Sequence, residues 1–247
     1  MKSNISSLKS SVPGGPRRAV CFLTLLAGFL LGPWSFFASA AAAPTHSLIV
    51  SWLAVQTNVQ TWSADFVQTR TLKSLVQPLT ATGHLYFAQP NRFRWELGQP
   101  AQTLAVRDSN EMVVIYPRLK RAERYRLDGR QTGPWRDALA LLEAGFPRSQ
   151  AAMEEQFRLA SQTVTNGACE LELVPKAAAA RRLMPRMKIS FATNDFMLLA
   201  TELEFADGST LRNDFARGGI NAALDATLFT PKIADDFKIV EPLKNHP

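Results

Sequence analysis

Cysteine is nearly absent from this 247-residue chain, which has two. Cys21 lies in an apolar stretch near the N-terminus, and Cys169 is the only other. A lone thiol closes no loop, so stability has to come from a packed core and not from cross-links. Cys169 reads as a small core residue. There is no Cys-x-x-Cys pair, and His46, His84 and His246 are too scattered to read as a metal set. A glycine-rich phosphate loop and a Gly-x-Ser-x-Gly nucleophile turn are also missing. These absences leave no expectation of an enzyme, a metal or a cofactor. A hydrolase built on some Asp, Glu or His pair has no motif behind it. Beyond the N-terminal stretch, no apolar run approaches the roughly 20 residues that cross a bilayer, and no repeat of 20 to 50 residues recurs.

What is present begins with an ordered N-terminal pattern. Lys2, Lys9, Arg17 and Arg18 precede the apolar run Ala19 to Leu31 with no acid among them. Gly32-Pro33 breaks the run, and Ala38-Ser39-Ala40 offers small residues at cleavage spacing. The reading is a secretory signal peptide over residues 1–40, with Ala43 as the alternative cleavage point. The Arg17-Arg18 pair alone is thin support for the twin-arginine route. Cys21 sits at the start of the apolar run without small residues before it, so it is no lipid-acceptor site. Residues 41–247 are expected to form a single exported domain. The signal takes four of the 28 basic residues and none of the 21 acidic ones, leaving a mild net charge of +3. Such a balance does not imply nucleic acid.

Leu48, Ile49, Trp52, Leu53, Val55, Val59 and Trp62 recur at helical spacing and predict a helix over His46–Trp62. Alternation then takes over. Phe93, Trp95 and Leu97 interleave with Arg92, Arg94 and Glu96, and strands are also expected from Phe66 to about Lys73 and around Leu85 and Phe87. Further strands are expected at 103–107, 111–116, 121–127, 158–165, 169–174, 187–193, 197–205 and 210–215. Between them, Gly133-Pro134 opens a helical stretch whose apolar stripe is Trp135, Leu139, Leu142 and Phe146. A weaker helix is expected at 149–156. Ala177–Ala180 with Arg181-Arg182 reads as a hairpin loop. The expected fold is mainly β with helices: about eleven antiparallel strands curling into a half-barrel, with helices forming a lid over an apolar cavity.

Gly83 to Leu97, GHLYFAQPNRFRWEL, has a glycine, an alternating strand, a proline turn and Phe-x-Trp on the next strand. Phe66-Val67-Gln68, Gln99-Pro100, Tyr116-Pro117 and Asp225-Ala226-Thr227-Leu228-Phe229-Thr230-Pro231 lie at matching distances. In order and spacing the set resembles the outer-membrane lipoprotein carrier family, LolA, over about residues 45 to 243. The resemblance implies a periplasmic, non-enzymatic carrier, expected to be a monomer. It would take lipid-modified proteins from an inner-membrane releasing transporter to an outer-membrane receptor. Where the family often has an arginine that helps hold the lid, this chain has Gln89.

The expected acyl wall is Leu85, Phe87, Phe93, Trp95, Leu104, Val106, Met112, Val114 and Tyr116. The lid candidates are Gln89, Trp135, Leu139, Leu142 and Phe146. For most of these the plainer alternative is core packing, which alternating apolar residues serve by default. The basic run Arg118 to Arg130 is either a solvated edge or a docking surface for an acidic partner or anionic headgroups. The alternative function on the same half-barrel is a periplasmic lipid or glycolipid shuttle, or an envelope sensor.

Overall fold

The computed structural model describes residues 45–127, 149–216 and 218–242. Among them, thirteen strands form one open, curled sheet. These are β1 Thr61–Thr71, β2 Leu79–Ala88, β3 Arg92–Leu97, β4 Thr103–Asp108, β5 Glu111–Tyr116, β6 Arg121–Arg126, β7 Phe157–Thr165, β8 Ala168–Pro175, β9 Arg186–Ala192, β10 Leu198–Glu204, β11 Thr210–Phe215, β12 Gly219–Ile220 and β13 Lys238–Val240. The helices are α1 Thr45–Thr57, α2 Gln150–Gln156 and α3 Ala178–Leu183.

Two antiparallel meanders, β1 to β6 and β7 to β11, meet where β1 pairs with β11. The order across the sheet is β13-β6-β5-β4-β3-β2-β1-β11-β10-β9-β8-β7, with β12 pairing with the start of β1. All neighbours are antiparallel except β13, which lies parallel to β6. β12 and β13, at two and three residues, are too short to show alternation, which is why the sequence pattern points to about eleven strands.

The register fixes two faces, because directly opposed residues point the same way. The inner face carries α1. Its core joins Ile49, Trp52 and Leu53 of α1 to Trp62, Ala64 and Phe66 of β1, Leu85 of β2, and Cys169, Leu171, Met187, Ile189 and Phe191 of β8 and β9. Trp52 is fully buried and stacks on Phe191 with ring centroids 4.9 Å apart. Burial raises the pKa of the Cys169 thiol, as suits an unreactive packing residue.

The outer face is of two kinds. Over β8–β11 it is a solvent-facing lattice of opposite charges, with Arg186 between Glu172 and Glu204, and Lys188 between Glu170 and Glu202. Over β4–β6 it is apolar: Val113, Ile115 and Ala122 are buried beneath Ile233 and Phe237 of the C-terminal segment, with Leu104 beside them. The 3₁₀ turn Ala226–Phe229 lies against β3 and β4, Arg92 sits over the Phe229 ring, and Arg94 donates to the Leu228 carbonyl at 3.1 Å.

Two local expectations change. The first helix ends at Thr57, and Trp62 belongs to β1. The Thr57 hydroxyl and the Asn58 amide both donate back to the Ala54 carbonyl, at 2.8 and 3.0 Å. Asn221 then accepts from Gln60 N–H at 2.7 Å and donates to the Asn58 carbonyl at 3.1 Å, so side chains take over the backbone groups that end the helix. The alanine run is not a plain loop. Residues 178–183 form α3, as alanine's helix propensity allows even in a short connection. The stretch with Gly133-Pro134 and its apolar stripe lies outside the described residues.

Gly83 occupies a position with no room for a side chain. A Cβ there would come within 2.1 Å of the Phe66 ring and 2.4 Å of the Glu96 carbonyl oxygen. Gly83→Ala is therefore expected to destabilise the protein by about 1–3 kcal/mol, the usual range for overpacking. Urea denaturation of the variant against wild type measures it, and an unchanged midpoint would contradict this packing.

Candidate ligand-binding face

Between the two meanders the inner face becomes aromatic. Phe66 lies over Gly83 and meets Trp95 with centroids 4.0 Å apart, and Phe215 at 6.0 Å. Phe215 also makes an edge contact with Trp62 at 5.2 Å and with Trp95 at 6.3 Å. From this cluster the wall runs across the first meander. Leu85, Trp95, Ala105, Val114 and Glu123 are opposed in register on β2–β6, and so are Phe87, Phe93, Arg107, Met112 and Tyr125.

Of the nine expected wall residues, seven share this face: Leu85, Phe87, Phe93, Trp95, Met112, Val114 and Tyr116. Leu104 and Val106 do not, and that expectation is corrected. Leu104 opposes Glu96 and Ile115, and Val106 opposes Arg94 and Val113, which places both on the outer face, Leu104 in the cluster with Ile233 and Phe237 of the C-terminal segment. Only the register separates the two sets, because β5 is apolar on both faces. Phe66, Phe215, Trp62 and Leu97 are wall residues that the periodic reading passes over. Phe66 and Phe215 stand 149 positions apart in sequence and become neighbours only through the β1–β11 pairing.

The wall is unevenly covered. Trp62, Phe66, Leu85 and Met112 are buried, whereas Phe87, Phe93, Trp95, Leu97, Val114, Tyr116 and Phe215 are half-buried. Such a face offers apolar carbon and few hydrogen-bonding groups. Polar groups mark its borders. On one side Gln68 donates to Asn213 at 3.0 Å, and Asn213 donates to Thr201 at 3.3 Å. On the β6 side, Tyr125 donates to Glu123 at 2.5 Å while Arg121 pairs with the same carboxylate at 2.6 Å.

Gln89 lies at the end of β2. Its amide donates to the Val59 carbonyl at 2.7 Å and its N–H to the Gln60 carbonyl at 2.8 Å, tying β2 to the α1–β1 turn. The other lid candidates, Trp135, Leu139, Leu142 and Phe146, lie outside the described residues. Among the described residues no group of three His, Cys, Asp or Glu side chains is placed to hold a metal, and no helix is long and apolar enough to cross a membrane.

An open half-barrel with a helix on one part of its inner face and a half-buried apolar wall on the other defines a binding protein. Comparison with known proteins gives the family. The model of the family described as "Outer membrane lipoprotein carrier protein LolA" matches residues 57–232, and the chain belongs to that family. It is a family of carrier and binding proteins, not of enzymes. An outer-membrane lipoprotein carrier protein of Leptothrix cholodnii is 29% identical over 172 residues, covering 70% of this chain and 75% of the relative. One from Cupriavidus pinatubonensis is 28% identical over 207 residues, covering 81% and 90%. A crystal structure of an uncharacterized conserved protein from Thermus thermophilus aligns with a TM-score of 0.48 at 12% identity, over 79% of this chain and 99% of that one.

Burial, followed by the hydrogen bond to Glu123, holds the Tyr125 phenol well above its ordinary value. A group whose folded pKa is raised contributes stability that is complete below its unfolded value and is lost as pH rises above it. Stability is thus expected to fall above about pH 10, the ordinary tyrosine pKa. Tyr125→Phe should flatten that alkaline loss. Urea midpoints at about pH 8 and pH 11, compared for the two proteins, give the answer; equal alkaline slopes would show that Tyr125 titrates as an ordinary phenol.

Proposed function

We propose that this protein carries lipid-modified proteins across the periplasm, with their acyl chains lying against the inner face between Phe66, Phe93, Trp95 and Phe215. The carrying observation is a face rich in apolar rings, several of them only half-buried, built into a sheet whose two other apolar clusters are covered by α1 and by the C-terminal segment. Each acyl methylene exposed to water costs about 0.8 kcal/mol, so a sixteen-carbon chain amounts to on the order of 12 kcal/mol. A lipoprotein has several such chains and does not diffuse free through water. A wall with few hydrogen-bond demands accepts them in any register, which suits a carrier of varied cargo.

Carrier action also needs a cover. Residues 128–148 form the one connection between β6, near one end of the sheet, and α2–β7 at the other. The lid candidates Trp135, Leu139, Leu142 and Phe146 fall within it, which supports assigning them to the part that displaces and readmits ligand. The family supports an export signal over residues 1–40, an inner-membrane releasing transporter as donor and an outer-membrane receptor as acceptor. The half-buried wall would equally serve a shuttle for free lipid, and the test separates the two.

Purified protein is incubated with inner-membrane vesicles loaded with lipoprotein, and soluble lipoprotein complex is measured for wild type and Phe93→Glu. Displacement of a fluorescent fatty acid is measured in parallel. A carboxylate on the wall should lower both by on the order of tenfold, since even one that pairs with Arg107 opposite it has to be desolvated beneath acyl carbon, at a cost above about 1.4 kcal/mol. Indifference of both to Phe93→Glu would overturn the wall assignment. Fatty-acid binding without lipoprotein release by wild type would favour the lipid shuttle.

A further inference from the structure

The two ends of the half-barrel differ sharply in chemistry. At one end lie the connections 72–78, 98–102, 117–120, 176–185 and 205–209. At the other lie 58–60, 89–91, 109–110, 166–167 and 193–197. The first set contains six basic residues, Lys73, Arg118, Lys120, Lys176, Arg181 and Arg182, against one acid, Asp207. The second set contains no basic residue and one acid, Asp195; the further connection 216–218 at this end carries Arg217, which lies outside the described residues. The exposed large apolar side chains of these connections divide the same way, although others are exposed on the strands, Val164 and Ile220 toward the opposite end among them. Leu75, Val76, Leu119 and Leu183 all stand at the basic end, and the opposite connections have none. Val76, at the tip of the β1–β2 hairpin, is fully exposed.

These features adjoin. Lys73 of the β1–β2 hairpin lies beside Gly208, where an added Cβ would come within 2.5 Å of its Cε. On the other side of that turn, Ala206 N–H donates to the Leu183 carbonyl at 3.1 Å, linking it to the end of α3. Hairpin tip, turn and α3 thus form a continuous rim presenting Leu75, Val76 and Leu183 among Lys73 and Arg182. Asp236 pairs with Lys120 at 2.7 Å, and Glu154 and Glu155 of α2 enter β7 at this end. With these the rim stays net positive.

From this juxtaposition we propose that the basic rim is a membrane-docking edge that seats on an anionic phospholipid surface, with Leu75 and Val76 entering the headgroup layer. Scattered exposed leucines need no explanation by themselves. Their grouping on the projecting connections of the basic end does. Cations draw a protein to anionic lipid and apolar tips hold it there, whereas an acidic protein partner would be served by the charges alone. The docking does not depend on acyl-chain binding by the inner wall. Its effect would be to hold the half-barrel by one end against the bilayer that gives up or receives a lipid.

The test is flotation of purified protein with lipoprotein-free vesicles of phosphatidylethanolamine and phosphatidylglycerol, compared with phosphatidylcholine alone. The variants are Leu75→Glu/Val76→Glu, Arg118→Glu/Arg182→Glu and, as a charge control at the opposite end, Asn110→Glu. All sites are exposed, and thermal midpoints confirm folding. Wild type and Asn110→Glu should float with anionic vesicles and be released by raised salt. Each rim double variant should reduce binding on the order of tenfold, with fatty-acid displacement unchanged. Failure of wild type to float, or equal flotation of rim variants and wild type, would overturn the proposal.

Discussion

The contact of the Phe66 ring with the bare backbone of Gly83 is the constraint on which the rest of this structure depends. β1 is the seam between two meanders, paired with β2 on one side and β11 on the other. Its central inner-face residue is Phe66, opposed by Gly83 and by Phe215. Only a residue without Cβ lets the ring lie flat enough to reach Trp95 on β3, one strand beyond. The ring therefore packs across two neighbouring strands, β2 and β3, on one side of the seam and onto β11 on the other. Aromatic pairs of this kind contribute about 0.5–1.5 kcal/mol beyond the area they bury. Their greater consequence is geometric, since one cluster holds both halves of the sheet in a single curvature.

That curvature distributes apolar surface diagonally. Over β8 and β9 the inner face is apolar and covered by α1, while the outer face there is a lattice of exposed ion pairs, each worth little. Over β4–β6 the outer face is apolar and covered by the C-terminal segment, and the inner face is the half-buried wall. Three of the four quadrants are thus locally complete, either covered by another element or faced with paired charges. The fourth is left to a surface whose rings are partly exposed among the described residues. A fold that places Ile233, Phe237 and Phe229 on the outside of β3–β6 backs that part of the sheet with packed side chains, independently of what covers its front.

Much of this is legible in the sequence because alternation reports strands directly. β3, β5 and β11 begin and end where the pattern places them, and Ser149 caps the short α2 through a hydrogen bond from Ala152 N–H at 3.1 Å, as its position before a helical run implies. What alternation does not report is which way a strand faces when both of its sides are apolar. Met112, Val113, Val114 and Ile115 run without a polar break, so nothing in β5 distinguishes inner from outer. On β4 the alternation does single out Leu104 and Val106, but the side it marks is the outer one, since apolar surface lies on both faces of this part of the sheet. Helical spacing likewise carries the first helix through Trp62, because the stop signal is tertiary: Asn221, from beyond β12, supplies the bonds that end the turn. The meeting of Phe66 with Phe215 is invisible for the same cause, joining strands from opposite ends of the chain.

Gln89 shows how a single uncharged residue can set the strength of a junction. It joins the end of β2 to the Val59 carbonyl, at the point where α1 gives way to β1. A neutral amide–carbonyl bond contributes about 0.5–1.5 kcal/mol, against about 1.5–3 kcal/mol when one partner is charged. It also carries no salt dependence, unlike an exposed ion pair. α1 covers one half of the inner face and the wall begins at the other, so this junction borders the region a ligand would enter. The tie acts on the connection between α1 and β1, while α1 itself is held by the buried Ile49, Trp52 and Leu53. Apolar contact with a guest, at about 25 cal/mol per Å² buried, would exceed the strength of such a tie after covering only some ~60 Å². Two neutral bonds, from the Gln89 side chain to Val59 and from its N–H to Gln60, thus fix this junction, while the aromatic seam holds the sheet beside it.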